Sequence, residues 1–511
     1  MIISLSVLVI TIIVSGTYAL YKTQLSKNIG VNTTTHGLAY YINYVKGTDI
    51  TAATLNPSTS YEGGASSDIE FWKKDDSYDI YGKIELTVNT IGTNLSNSPA
   101  LKYAVVNNGN VLKEGSLKGT TSGSKVTILK NLYLEQTKQI YTVYVWLDNS
   151  EELGNISNES LSISVDCTAS LQKEPTAADT IISLYTSAAK VTATNNSITY
   201  NTAPSVSLMN DRLGGTTTDL DGGNIRYYGA NPNNYIYFNC SDYSNQTSST
   251  CETWRIIGVF DGKLKLIKSE SIGAYSWDNK DTSTGAENDT GKNDWTTARL
   301  MKLLNPSNYY KVDSNDNNLG QSLYYNSASG KCYSGQNNAT VDCDFTSTGI
   351  KNAETRNMIA ETTYNLGGWN SNSVYSNQIY EYERGTTVYS GRPTTWKGKI
   401  ALAYPSDYGY AADLNQCKDK TLYDYDNRTC TSNNWMKAII TNNGSNTGWL
   451  LTPRSGSSSN AWYVNSGGFV SRDSIAYVAY GSAPVLYLSS ELGIESGAGD
   501  GSSSNPYKLS A

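Results

Sequence analysis

The chain has 511 residues, with 39 Lys and Arg against 46 Asp and Glu for a net charge of −7, and only 17 % of its residues are charged. That length exceeds one ordinary domain of about 100–200 residues and excludes a single small module. Acidic balance without a basic stripe argues against a nucleic-acid partner, and 40 Tyr, 43 Gly and abundant Ser, Thr and Asn suit exposed sheet and turns better than a cytosolic helical protein.

In chain order, residues 1–21, MIISLSVLVITIIVSGTYALY, carry no charge, and such a run can just span about 30 Å of hydrocarbon as a helix. The segment reads as a transmembrane anchor or an export signal. Thr17 and Ala19 offer small residues for cleavage after Ala19, whereas no Lys or Arg precedes the run and Lys22 and Lys27 follow it. Residues 28–167 read as strand and turn throughout: GLAYYINYV, YGKIELTVNTI, ALKYAVVN, KVTILKNLYL, YTVYVWLD and LSISVD, separated by Asn, Gly and Ser clusters. Short strands at this spacing predict a β-sandwich. The period then changes, and Ile181, Ile182, Leu184, Tyr185 and Ala188 make one apolar helical face within a connector over 168–200. Residues 201–490 mix strands (RYYGANPNNYIYFN, ETWRIIGVFDGKLKLIKS, GKIALAYP) with helices (DWTTARLMKLLN, KNAETRNMIAETTYNL, NNWMKAIIT) and predict an α+β domain. Residues 491–511 are a Gly/Ser-rich tail.

The seven cysteines form three close pairs, Cys240/Cys251, Cys332/Cys343 and Cys417/Cys430, with Cys167 left over. Proximity favours local pairing, although other connectivities are open. Zinc needs four ligands at characteristic spacing, and the single His, His36, is far from the pairs. An oxidising, extracytoplasmic setting follows. No cofactor is expected, and one His leaves almost nothing for His-based catalysis. Ser406-Asp407 lacks a His to activate a serine. The loop carrying Asp313, Asn315, Asp316 and Asn317 is rich in oxygen ligands but lacks the spacing and terminal Glu of an EF-hand.

The first region resembles the camelysin/TasA family of surface and biofilm-fibre subunits. The likeness is carried by the SGTYALY segment, Lys113-Glu114-Gly115-Ser116-Leu117 and Tyr141 through Asp148. It implies a jelly-roll-like sandwich whose N-terminal strand completes a neighbour's sheet. Some relatives are classed as metallopeptidases, but this chain has no HExxH, so that chemistry does not carry over.

The second region resembles a domain of unknown function of exported Gram-positive bacterial proteins. The matching residues are Tyr228-Gly229 with Asn231 through Tyr235, Trp254 through Phe260, Tyr275 through Asp278, Trp295 through Asn305, Tyr404 through Tyr410 and Trp449 through Leu488. Its end, from Gly448 to Ser490, is also similar to C-type-lectin-like domains, including formylglycine-generating-enzyme-like proteins. It departs from them where Ala483 stands in place of an Arg before Pro484 and where the last cysteine is Cys430.

The expectation is thus a multidomain chain, an N-terminal all-β sandwich (jelly-roll-like) followed by an α+β C-type-lectin-like domain. It is read as a cell-surface recognition or adhesion protein, membrane-attached through residues 1–21, and not as an enzyme. Trp462, Tyr463, Asn465, Arg472, Asp473, Tyr477 and Tyr480 are the candidate contacts for a glycan or protein ligand, because Tyr and Trp supply rigid contact area at low entropic cost. The alternative is a subunit of a surface fibre or biofilm matrix that self-assembles by donating residues 20–45.

Overall fold

A computed structural model describes residues 23–25, 41–51, 55–149, 151, 153–156, 158–212, 223–279, 290–311, 319–334, 340–442, 446–495 and 497–510. The expected anchor or signal over 1–21, His36 and the loop Asp313–Asn317 lie outside these residues. Among the described residues, no helix is long and apolar enough to cross a membrane. The chain divides into two compact units, Met1–Glu174 and Pro175–Ala511.

The first unit is built from two sheets, antiparallel throughout except where Pro57–Ser58 pairs parallel with the end of Ile140–Asp148. One runs, in spatial order, through Thr23–Leu25, Leu161–Ser170, Tyr81–Ile91 and Lys125–Tyr133, with Ile50–Thr51 also on Leu161–Ser170. The other runs through Ile42–Val45, Ala65–Lys73, Ile140–Asp148, Leu101–Asn107 and Asn110–Ser116. Strict alternation drives the packing: Gly82, Ile84, Leu86 and Val88 are buried while Tyr81, Lys83, Glu85 and Thr87 between them are only half-buried. Ile84, Leu86, Val88, Ile163 and Val165 of one sheet meet Ile69, Phe71, Val105, Val143 and Val145 of the other in a single core, so the unit is a sandwich. Cys167 sits in this core at 0 % exposure as the free cysteine, and burial pushes its thiol well above the ordinary range. It offers no bridge to another chain while the sandwich is folded.

The second unit has its own, larger core. Its nine-stranded sheet takes Val191–Asn195, Ile198–Ala203, Leu208–Asn210, Ile225–Tyr227, Glu252–Phe260, Lys263–Lys268, Val485–Tyr487 and Ile400–Ala401 in spatial order, with Tyr235–Phe238 alongside Glu252–Phe260. The hairpin between Glu252–Phe260 and Lys263–Lys268 turns on Asp261 (φ 47°) and Gly262 (φ 71°), the positive-φ pair that matches strand twist. A five-stranded sheet takes Ala274–Ser276, Ala479–Gly481, Gly448–Pro453, Asn460–Val464 and Val470–Ile475. Disulfides Cys240–Cys251, Cys332–Cys343 and Cys417–Cys430 tie its loops, as spacing predicts, and such bridges are typical of oxidising compartments.

Three expected boundaries differ. The helix Ala177–Ser187, capped by a reciprocal Thr176–Asp179 box, is no connector, because Ala177, Ala178, Ile181 and Tyr185 belong to the second core. Strand Leu161–Ser170 carries the sandwich past residue 167. Residues 491–511 are also folded where described: Gly493–Ile494 pairs with Leu509–Ser510, the main chain of Tyr507 bonds Tyr235 and Tyr237, and Leu492, Tyr507 and Leu509 are core. The expected helix DWTTARLMKLLN is shorter, Arg299–Leu304, and Asp294 accepts from Thr296 N–H (3.1 Å) in the turn before it.

Candidate functional site

Register across the five-stranded sheet lines up aromatic residues. Tyr275 lies opposite Tyr480, and Trp449 opposite Tyr463. Their rings touch: Trp449–Tyr480 at 4.7 Å, Tyr463–Tyr480 at 5.4 Å and Trp449–Tyr463 at 6.4 Å between centroids. Trp449 is the buried base of this row, its indole N–H donating to Tyr275 O (3.0 Å), while Tyr275, Tyr463 and Tyr480 are half-buried. Burial pushes the Tyr463 hydroxyl up, with Tyr480, Asp473 and Tyr423 adding to the rise. Tyr423, 49 % exposed, packs on Phe469 at 5.2 Å. This pair is a second aromatic contact, beside the edge strand Val470–Ile475.

That edge strand carries charge, as exposed edges commonly do. Arg454 and Arg472 grip Asp473 between them, Nη1 to Oδ1 at 2.6 Å and Nη1 to Oδ2 at 3.0 Å. Each also donates through Nε to Asn370, Arg454 to the side-chain oxygen and Arg472 to the carbonyl, both at 2.7 Å. The result is a closed ring of four residues. Gly456 leaves room beside it, because a Cβ there would meet Asn370 Oδ1 at 2.2 Å and push that side chain out of the ring. Trp369, next to Asn370, stacks on Tyr382 at 3.8 Å with 3° between planes.

Of the seven predicted contacts, Tyr463, Arg472, Asp473 and Tyr480 come together here. Trp462 does not belong: it is 0 % exposed and packs in the core, because its strand buries both faces at that point. Asn465 is a turn residue whose Oδ1 accepts from Gly467 N–H (2.6 Å). Tyr477 is half-buried, and its carbonyl accepts from Ser276 (2.6 Å). Arg454, Asn370, Trp369, Tyr423 and Tyr275 were not anticipated. The one local signal was Arg454 after Pro453, whereas Asn370 and Arg454 meet across 84 residues.

A second cluster lies inside the core. Arg226 donates to Asp211 (2.5 Å) and Asp407 (3.0 Å), and the other Asp407 oxygen takes Lys265 and the Tyr404 N–H (3.0 Å). Burial alone would raise Asp407, but Lys265 and Arg226 hold its carboxyl below the ordinary range. Burial pulls Lys265 down to about 8 against the opposing Asp407. Beside them, Ser406 donates its N–H (2.9 Å) and hydroxyl (2.5 Å) to Glu383. Ser406 and Glu383 are both 0 % exposed, so as placed they bind helix Pro405–Tyr410 to helix Ser376–Arg384. Among the described residues, no group of three or more His, Cys, Asp or Glu could hold a metal ion.

Burial pushes Glu383 up to about 7, against Arg384 and Ser406, and Asp278 likewise up to about 7. Glu383 thus keeps its proton to about pH 7 when folded but only to about 4.5 when unfolded. Its contribution to stability is full below about 4.5 and is lost as pH rises through about 7. Urea unfolding followed by Trp fluorescence is expected to show Glu383→Gln removing a fall of on the order of 3 kcal/mol across that window. A variant keeping the wild-type slope contradicts the assignment.

No protein-family model matches the chain, and no curated protein matches it. Similar solved structures include two point variants of HCR/D, at 13 % and 12 % identity and TM-scores of 0.14 and 0.15, covering 51 % and 50 % of this chain and 76 % of each of those chains. Another is the receptor binding domain of botulinum neurotoxin mosaic serotype C/D, at 12 % identity and a TM-score of 0.15, covering 50 % of this chain and 74 % of that one. Likeness at this level carries no argument about fold or function.

Proposed function

We propose that the chain is a cell-surface recognition protein of the extracytoplasmic side, binding a glycan or protein ligand through the second unit, and not an enzyme. On this reading the second unit is C-type-lectin-like at its C-terminal end, the first is a jelly-roll-like, camelysin/TasA-type sandwich serving as stalk, and the segment 1–21 supplies membrane attachment. The observation that carries it is the half-buried aromatic row of Tyr275, Tyr480 and Tyr463, rimmed by Arg454, Arg472 and Asp473. Rigid aromatic faces beside a few placed polar groups are what ligand contact uses. Alanine at Arg472, Tyr463, Tyr477 or Tyr480 tests it on glycan and matrix-protein arrays. Loss of roughly tenfold or more in affinity, about 1.4 kcal/mol, is expected for Tyr463 and Tyr480. Unchanged binding across the series removes the face as the site.

A fibre subunit is the second reading, favoured by one observation. Thr23–Leu25 pairs antiparallel with Leu161–Ser170, Leu25 opposite Cys167, and the same edge pairing in trans would join copies. An intact 1–21 segment in purified membranes rules out donation of a strand freed by cleavage after Ala19.

A further inference from the structure

We infer that the ring Asn370–Arg454–Asp473–Arg472 makes the ligand an acidic glycan, its carboxylate or sulfate received by the two guanidinium groups. The inference rests on the recognition reading and names its ligand class. Two cations share one carboxylate, so the ring carries a local charge of +1 on a chain whose net charge is −7. Each arginine spends Nε on Asn370 and Nη1 on Asp473. Among the described residues, that leaves the Nη2 of each, with its two N–H donors, for an incoming oxyanion. The side chains of Arg454 and Arg472 are 22 % and 20 % exposed, and that of Asp473 is 49 % exposed.

Their guanidinium planes are already fixed by those bonds, so little further ordering is needed on binding, and each Nη2 can add charge-assisted hydrogen bonds to a carboxylate or sulfate oxygen. Asp473 also lies near the ring row. It stands two residues from Ser471, the cross-strand partner of Tyr463, and is among the charges acting on the Tyr463 hydroxyl. An acidic sugar can thus place its ring against Tyr463 and its anion at the arginines. An acidic peptide would use the arginines but has less need of a flat aromatic row, which favours the glycan.

The test is a titration of the full oxidised chain against oligogalacturonate and chondroitin sulfate oligosaccharides, with methyl-esterified oligogalacturonate and chitooligosaccharide as uncharged counterparts and poly-Glu as an acidic peptide. Binding of an acidic glycan at least tenfold tighter than its uncharged counterpart is expected, weakened about tenfold by Arg454→Gln or Arg472→Gln and unchanged by Lys118→Gln in the other unit. Affinity should fall with added salt. Near-ultraviolet circular dichroism of each variant checks that the fold is kept, and Arg472→Lys, which retains charge without the fork, should recover only part of the loss. Equal affinity for charged and uncharged sugars overturns the anionic preference and leaves the recognition reading standing. Poly-Glu bound in preference to every glycan overturns the glycan class. Binding to none of these probes counts against both.

Discussion

Asp407→Asn is expected to destabilise the second unit by roughly 3–5 kcal/mol, the usual cost of breaking a buried ion pair from one side. Asp407 is 2 % exposed and is the carboxylate shared by Arg226 and Lys265, themselves 1 % and 0 % exposed. Asparagine can still accept one hydrogen bond, yet among the described residues Lys265 then keeps no carboxylate partner, and Arg226 keeps Asp211 alone. Aromatic rings of Phe260 and Tyr410 at 4.6 and 4.7 Å from the Arg226 guanidinium offset part of the loss but cannot replace a full charge. Replacing Arg226, Lys265, Asp211 and Asp407 together by apolar residues of similar volume should cost less than Asp407→Asn alone, because no charge is then stranded. Guanidinium unfolding of the single and quadruple variants measures both. A single variant as stable as the wild type would mean that the cluster is not buried as described.

Trp462→Ala should cost about 3–5 kcal/mol through the cavity it leaves, since the ring is fully buried among the largest side chains of the core. Tyr480→Ala, a half-buried neighbour on the same sheet, should cost far less stability and far more binding. Denaturant midpoints and array affinities on the two variants separate the expectations. Trp462→Ala with wild-type stability would return that residue to the ligand face, from which its burial removes it.

This pair also shows where sequence reading stops. In Ala461-Trp462-Tyr463-Val464 three of the four residues are buried and only Tyr463 is half-exposed, so no alternation marks which aromatic faces out. Where one face is solvated the pattern is readable: the strand Tyr81–Ile91 alternates and is found at its predicted limits. Ala65–Lys73 escaped notice because its inward positions include Ser67 and Lys73. Lys73 is kept there by Asp76, three residues on, at 2.7 Å and by the Tyr133 hydroxyl at 3.0 Å, the second of which no local window reveals. The disulfides were legible because each closes 11 or 13 residues of chain. The arginine ring was half legible. Arg472 and Asp473 are adjacent, whereas Asn370 arrives from 102 residues away, and only the folded chain brings them together. Helix Pro405–Tyr410 was hidden by Gly409 and its aromatic content, and tertiary burial of all six residues overrides that weak propensity.

The most direct test of the account is saturable ligand binding by the oxidised full chain, followed before and after reduction and checked for size by light scattering. The account predicts a saturable signal from a chain of constant size. Reduction, which opens the three loops held by Cys240–Cys251, Cys332–Cys343 and Cys417–Cys430, should abolish it. Oligomers that grow with time, without ligand binding in either state, would contradict it and favour the fibre.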